Sequence, residues 1–298
     1  MSVSPTGQST FSRRERVAGY VALTKPRIIE LLLVTTVPTM FVAERSVPSV
    51  WLMVATVVGG TLAAGGANAV NMVVDRDIDG LMERTMHRPL VRGVMSPRAA
   101  LTFAVVIEVV AFAWLFTTVN LLSALLAVSA TFFYVFVYTL WLKRTTTQNI
   151  VIGGAAGAVP VLVGWSAVTN SLGWAPVVLF LVIFFWTPPH FWALAIRYRE
   201  DYSAASVPML PAVATLAATA RKITLYTVML VGTTLVFAPV ADMGAVYVAA
   251  ALILGALFGV LALAVQRDPT ERAAMRLFSY SITYVTLLFA AMIVDVLV

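Results

Sequence analysis

The segment AGGANAVNMVVDRDIDGLMERTMHRPLVRG gathers amides, carboxylates and guanidinium groups inside an otherwise apolar chain. Asn68, Asn71, Asp75 and Asp79 recur at helical spacing, and at about 100° per residue all four fall within an arc of roughly 80°, one above another. Their side chains can therefore converge on one ligand, while Arg76 and Asp77 point elsewhere. Carboxylates stacked a turn apart near a lipid boundary repel each other and are costly to desolvate unless a cation sits among them. Mg²⁺ suits that place, because it takes oxygen ligands, often one or two carboxylates plus substrate phosphates. Arg84, Arg88 and Arg92 follow directly, and their forked donors fit phosphate oxygens. The chemistry implied is a diphosphate site at a membrane surface. A solvated, mixed-charge helix end is the plain alternative, but Gly65, Gly66, Ala67 and Ala69 would let a neighbouring helix or ligand approach closely.

A second segment, FFWTPPHFWALAIRYREDYSAASVPMLP, repeats the pattern. On one continuous helix His190, Arg197 and Asp201 would share an arc of about 40°, with Glu200 to one side. Asp201 is expected to complete the metal shell and Arg197 to contact phosphate, while Pro188 and Pro189 are expected to interrupt the helix just before His190. His190 has two readings, an interhelical hydrogen-bonder or a ligand or base at the site. Lys143 and Arg144, at the end of another apolar stretch, are either snorkelling anchors or phosphate contacts. The expected catalytic set is thus Asn71, Asp75, Asp79, His190 and Asp201. Asn68, Arg84, Arg88, Lys143, Arg144 and Arg197 are the expected substrate contacts, and Asp75, Asp79 and Asp201 the expected metal ligands. Glu108, alone in mid-span, is left outside the site.

What holds these residues must be a membrane domain. The chain is 60% hydrophobic and 11% charged, with a mean hydropathy of +0.92, more apolar surface than a water-soluble globule can hide. A spanning helix needs about 20 mostly apolar residues. Nine such stretches can be placed, at 28–43, 50–70, 99–118, 121–141, 149–169, 174–195, 223–240, 244–265 and 277–297. The expected fold is therefore all-α and polytopic. Residues 1–27 read as a retained tail and 28–298 as one transmembrane domain.

Nine spans place 19 of the 20 Lys and Arg residues on one side, leaving Arg45 opposite. The positive-inside rule makes the crowded side, with the tail and both polar segments, cytoplasmic. The absence of cysteine excludes disulfides, thiolate metal sites and cysteine nucleophiles. Basic residues dispersed at span ends, with no nucleic-acid motif, exclude a nucleic-acid partner and fit a bilayer or a phosphate ligand instead. The fifth stretch carries Gly153, Gly154, Gly157, Pro160 and Gly164, leaving room for a chamber that Tyr134, Tyr138, Trp165, Phe191 and Trp192 could line.

These residues resemble the UbiA superfamily of intramembrane aromatic prenyltransferases. Its first motif usually reads N-D-x-x-D-x-x-x-D; Asn71, Asp75 and Asp79 occupy the asparagine and the last two aspartates, and Met72 replaces the first aspartate. Its second motif, D-x-x-x-D, keeps Asp201 but has Arg197 in place of the first carboxylate. That departure resembles the heme-farnesylating branch, as do LTKPRIIELLLVTT, LKRTTTQNIVIGGAAGA, TPPHFWALA and DYSAASVPMLP. The resemblance implies nine helices around a laterally open chamber and Mg²⁺ as cofactor. It also implies transfer of the farnesyl group of farnesyl diphosphate to a vinyl group of heme b, giving heme O and diphosphate. The retained tail, without an organelle-like presequence, points to the plasma membrane of a prokaryote, and the resemblance implies a heme-handing partner enzyme in heme A synthesis. Two rival readings are a prenyltransferase acting on a quinone precursor and a transporter of an anionic lipid-linked substrate. Charge gathered on one face argues against the transporter, which needs access from both.

Overall fold

The computed structural model describes residues 11–298, without the side chains of 27–33. Every regular element among the described residues is helical. The chain begins with α1 (Arg13–Leu23), started by a reciprocal cap in which Glu15 N–H donates to Ser12 Oγ at 3.2 Å and Ser12 N–H to Glu15 Oε2 at 2.8 Å. Lys25, at φ 51° and ψ 66°, turns the chain into α2 (Pro26–Glu44), where Pro26 occupies the first position, which needs no donor. Next come α3 (Val50–Asp79), α4 (Pro97–Thr118) and α5 (Leu121–Phe132). The fifth helix continues without a break through a π-helical stretch, Phe133–Leu142, into the single turn α6 (Lys143–Thr145). Then follow α7 (Asn149–Thr169), α8 (Trp174–Arg197), the short α9 (Arg199–Ala204) and α10 (Leu210–Val213), and finally α11 (Leu216–Val240), α12 (Ala245–Arg267) and α13 (Glu271–Leu297).

Among the described residues, eight helical segments are long and apolar enough to cross a membrane. The 19-residue α2 lies over the first expected span, so the nine-span reading holds in outline. Side chains such as Val109, Ile253 and Val260 face outward at 64%, 69% and 60% exposure, which only lipid can cover. The protein is a multi-pass membrane protein.

α3 packs on α4, α7 on α2, α5 and α8, and α8 on α11 and α13. Close approach depends on small residues at particular points. A Cβ on Gly164 would stand 2.6 Å from the Thr36 carbonyl oxygen, so only glycine lets α7 lie against α2 there. The apolar core is concentrated in the C-terminal half, where Trp186, Phe237, Tyr247, Phe258, Tyr284 and Phe289 interlock across α8, α11, α12 and α13. That half forms one packed wall. The N-terminal half encloses a cavity bounded by α2, α3, α5, α7 and α8.

Two expectations about helix continuity need correction. Pro188 and Pro189 lie inside α8 and do not end it; the Thr187 hydroxyl donates to the Ile183 carbonyl at 2.9 Å beside them. The break comes later, at Tyr198 (φ −100°, ψ 22°), which separates α8 from α9.

Candidate active site

α3 runs unbroken past the lipid boundary to Asp79, so the helical spacing of its polar residues is preserved. Asn68, Asn71, Asp75 and Asp79 are all buried, the two carboxylates at 0% and 1% exposure. Anions this dry must be paired. Asp75 accepts from the Lys143 ammonium and from Asn71 Nδ2 at 2.7 Å, and Arg144 stands 3.6 Å from its other oxygen. Asp79 takes Arg88 Nη1 on both oxygens, at 2.7 and 2.6 Å. Thr85 Oγ1 donates to the Asp79 carbonyl at 2.9 Å, anchoring the loop that carries Arg84 and Arg88.

Lys143 reaches Asp75 by way of the π-helical stretch. Thr139 Oγ1 donates five residues back to the Tyr134 carbonyl at 2.8 Å and accepts from Asn71 Nδ2 at 3.2 Å. A π turn inside a longer helix often marks a functional site. This one turns Tyr134, Tyr138 and Lys143 toward α3.

Lys25 completes the mouth. Its Nζ donates to Asn71 Oδ1 at 2.9 Å, and the neighbouring Thr24 carbonyl accepts from Asn68 Nδ2 at 3.3 Å. Desolvation, with Arg88 and Lys143 close by, brings the Lys25 ammonium down to about 7, although Asp75 and Asp79 pull the other way. In the sequence Lys25 stands within residues 1–27, the stretch that reads as a tail. Its one local signal is the Lys-Pro pair that opens the first long helix, and its placement depends on the left-handed backbone at residue 25.

The cavity behind this mouth measures ≈ 410 Å³. Lys25, Arg84, Arg88 and Lys143 line one end; small residues such as Ala63, Ala67, Ala127, Gly153 and Gly157 line the interior with Ile183, Trp186 and Phe191. Four cations there face two carboxylates, Asp75 and Asp79, which leaves positive charge for an anionic ligand. Tyr134, Tyr138 and Phe191 border this space as expected. Trp165 and Trp192 do not; Trp165 packs against the apolar core, and Trp192 is buried edge-on against Tyr226 there.

The second polar segment does not form one stripe. The break at Tyr198 puts Asp201 on α9, where its Oδ2 accepts from the Arg84 backbone N–H at 3.4 Å. Arg197 leaves the cavity altogether and stands 3.4 Å from Glu271 on the outer side of α8. His190 also faces away: its ring stacks between Trp186 and Phe278, with centroids 4.2 and 4.6 Å away, and Nδ1 bonds Ser281 Oγ at 2.6 Å. Of its two readings, the interhelical hydrogen-bonder is the one this geometry matches. Nor do Asp75, Asp79 and Asp201 gather; no group of three or more His, Cys, Asp or Glu among the described residues could hold a metal ion by itself. Asp75 and Asp79 sit a turn apart beside the cavity, whereas Asp201 is tied to the Arg84 loop. Arg144 stays on the rim, in a two-pronged pair with Asp77 at 2.7 Å on each side.

The architecture has known counterparts. A digeranylgeranylglyceryl phosphate synthase structure matches with a TM-score of 0.77 at 16% identity, over 95% of this chain and 99% of that one. A UbiA homolog from Archaeoglobus fulgidus bound to DMAPP and Mg²⁺ matches at 0.63 and 15% identity, over 90% and 99%. A much nearer relative in sequence is the protoheme IX farnesyltransferase of Parafrankia sp. (strain EAN1pec), 55% identical over 93% of this chain and 90% of its own. The model of the UbiA prenyltransferase family matches residues 32–291, a stretch that holds the α3 stripe, the π turn and most of the cavity wall. This chain belongs to that family and is a prenyltransferase.

Proposed function

We propose that this enzyme transfers the farnesyl group of farnesyl diphosphate to a vinyl group of heme b, releasing diphosphate and giving heme O. The observation that carries this reading is the cavity, in which a cluster of cations opens onto an interior of small and apolar side chains. The first matches a diphosphate and the second an isoprenoid chain with a flat acceptor. The choice of acceptor rests on the relative named protoheme IX farnesyltransferase, which is identical at more than half of the aligned positions.

In the proposed reaction the bond from farnesyl C1 to the diphosphate oxygen breaks, and a bond forms from C1 to the terminal vinyl carbon. Water adds to the inner vinyl carbon and gives up a proton. Lys25, Lys143, Arg84 and Arg88 hold the leaving diphosphate and offset its growing charge, in a site dry enough for those charges to act strongly. The apolar walls keep other water from intercepting the electron-deficient farnesyl carbon.

Mg²⁺ is part of the proposal. Asp75 Oδ1 is a buried carboxylate oxygen with no hydrogen bond, 3.6 Å from Arg144, and Asp79, whose oxygens Arg88 holds, lies one turn further on; both supply the hard oxygens that Mg²⁺ takes. Asp75 and Asp79 would hold the ion together with substrate oxygens, and it would draw charge from the breaking bond. The A. fulgidus homolog bound to DMAPP and Mg²⁺ supports this assignment. The cytoplasmic placement of the site and tail is likewise our reading, supported by the charge asymmetry.

The test is to incubate purified protein with farnesyl diphosphate and either heme b or a phenolic quinone precursor, with Mg²⁺ or EDTA, and to identify products by mass. Heme O formed only with heme b and Mg²⁺ is the expected result. Prenylation of the phenolic acceptor alone would overturn the choice of acceptor, and full turnover in EDTA the assignment of the metal.

A further inference from the structure

On the side of α8 away from the cavity, a second concave surface opens at the same end of the helical bundle. It is a groove of ≈ 800 Å³ where the C-terminus of α8 meets α12 and the start of α13, lined by Arg197, Leu261, Glu271, Arg272, Met275 and Arg276. Arg272, Met275 and Arg276 share one face of α13. Arg197 projects from α8 toward them, 3.4 Å from the exposed Glu271 and with its guanidinium over the Tyr198 ring at 5.7 Å. Among the described residues, Arg272 and Arg276 have no carboxylate partner. The groove thus carries three guanidinium groups against one carboxylate, above an apolar floor of Leu261 and Met275.

Arginines at a span end commonly only snorkel to the headgroup layer. Here they are drawn from two helices into one concavity, and the surface leading down from it is apolar: Leu257 and Val260 on α12 are 46% and 60% exposed, and Ile282 on α13 is 45% exposed. A ligand that matches both parts has a phosphate head and hydrocarbon tails. We propose that this groove binds an anionic phospholipid of the surrounding leaflet, with its phosphate among Arg197, Arg272 and Arg276 and its acyl chains along α12 and α13. Charge complementarity selects an anionic headgroup over a zwitterionic one. The groove is separate from the diphosphate cavity, since α8 stands between them and their linings share no residue.

The test measures lipid retained by the full-length protein. Purified protein is exchanged into detergent with equal amounts of dioleoylphosphatidylglycerol and dioleoylphosphatidylcholine, and bound lipid is counted by native mass spectrometry. Phosphatidylglycerol is expected to be retained preferentially. In R272Q/R276Q its affinity should fall about 25-fold, the product of about fivefold for each interfacial arginine. R272K/R276K should keep most of the binding, and R13Q/R14Q, altered on α1, should keep all of it. Equal retention of both lipids, or retention by R272Q/R276Q equal to wild type at unchanged melting temperature, would overturn the proposal. Displacement of the lipid by millimolar inorganic phosphate would also overturn it, showing a free-phosphate site instead.

Discussion

Arg88 and Asp79 stand nine residues apart in sequence, yet one guanidinium nitrogen lies within 2.7 Å of both carboxylate oxygens, and the carboxylate is 1% exposed. The pair closes the loop after α3 over the mouth of the cavity and carries a cation into it. Removing one member of a buried pair leaves an uncompensated charge, at a cost of about 3–5 kcal/mol. Arg88→Ala should therefore lower the melting temperature markedly. Adding Asp79→Asn should recover most of the loss without restoring product formation. Thermal unfolding and product mass, read side by side on the two variants, check this; recovered turnover in the double variant would remove Asp79 from the proposed metal site.

Lys25 gives a pH signature. Its ammonium titrates near 7 in the folded chain and about 10.4 when unfolded, so the unfolded state binds the extra proton between those values. The penalty for holding Lys25 in place is thus fully present below pH 7 and is relieved as pH rises toward 10. An anion bound beside it reverses this by favouring the charged form. Pyrophosphate binding at pH 8 should take up protons, seen by titration calorimetry in buffers of different ionisation enthalpy. Lys25→Met should abolish most of that uptake and weaken binding about tenfold or more.

Gly157 offers a way to occupy the cavity without disturbing its walls. A Cβ there would meet no atom within 4 Å, although the residue lines the cavity. Gly157→Leu should leave the melting temperature nearly unchanged, within about 1 kcal/mol in stability. It should cut heme O formation at least about tenfold while pyrophosphate still binds. Unimpaired turnover would place the acceptor elsewhere.

His190 should behave as a packing residue. In His190→Phe the ring can still stack on Trp186 and Phe278, but the bond to Ser281 is lost. The expected cost is about 1 kcal/mol of stability, with unchanged KM for farnesyl diphosphate and unchanged heme absorption. A large fall in turnover at unchanged stability would assign the imidazole a part in the chemistry.

The contrast between the two polar segments marks what was legible in the sequence. Spacing along one helix is a local property, and α3 stays helical to Asp79, so Asn68, Asn71, Asp75 and Asp79 do line up. Hydropathy gave the spans for the same reason. His190, Arg197 and Asp201 failed at two points that spacing does not encode. The helix ends at Tyr198, and α8 has a face toward α13 as well as one toward the cavity. Lys143 could be placed on the right side of the membrane but not against Asp75, because the π turn resets the rotation of everything after Phe132. Lys25 was invisible as a site residue, since a single left-handed residue decides where it points.

Hydropathy sets the start of the membrane domain at residue 28, whereas hydrogen bonding sets it earlier, at Thr24 and Lys25. A chain begun at residue 28 would keep the segments of all nine expected spans yet lose a cation from the reaction mouth and the strap that fixes Asn68. Fusions placed close to α1 would pull on the same strap, so the proposed site depends on the junction between α1 and α2 and not on the spans alone.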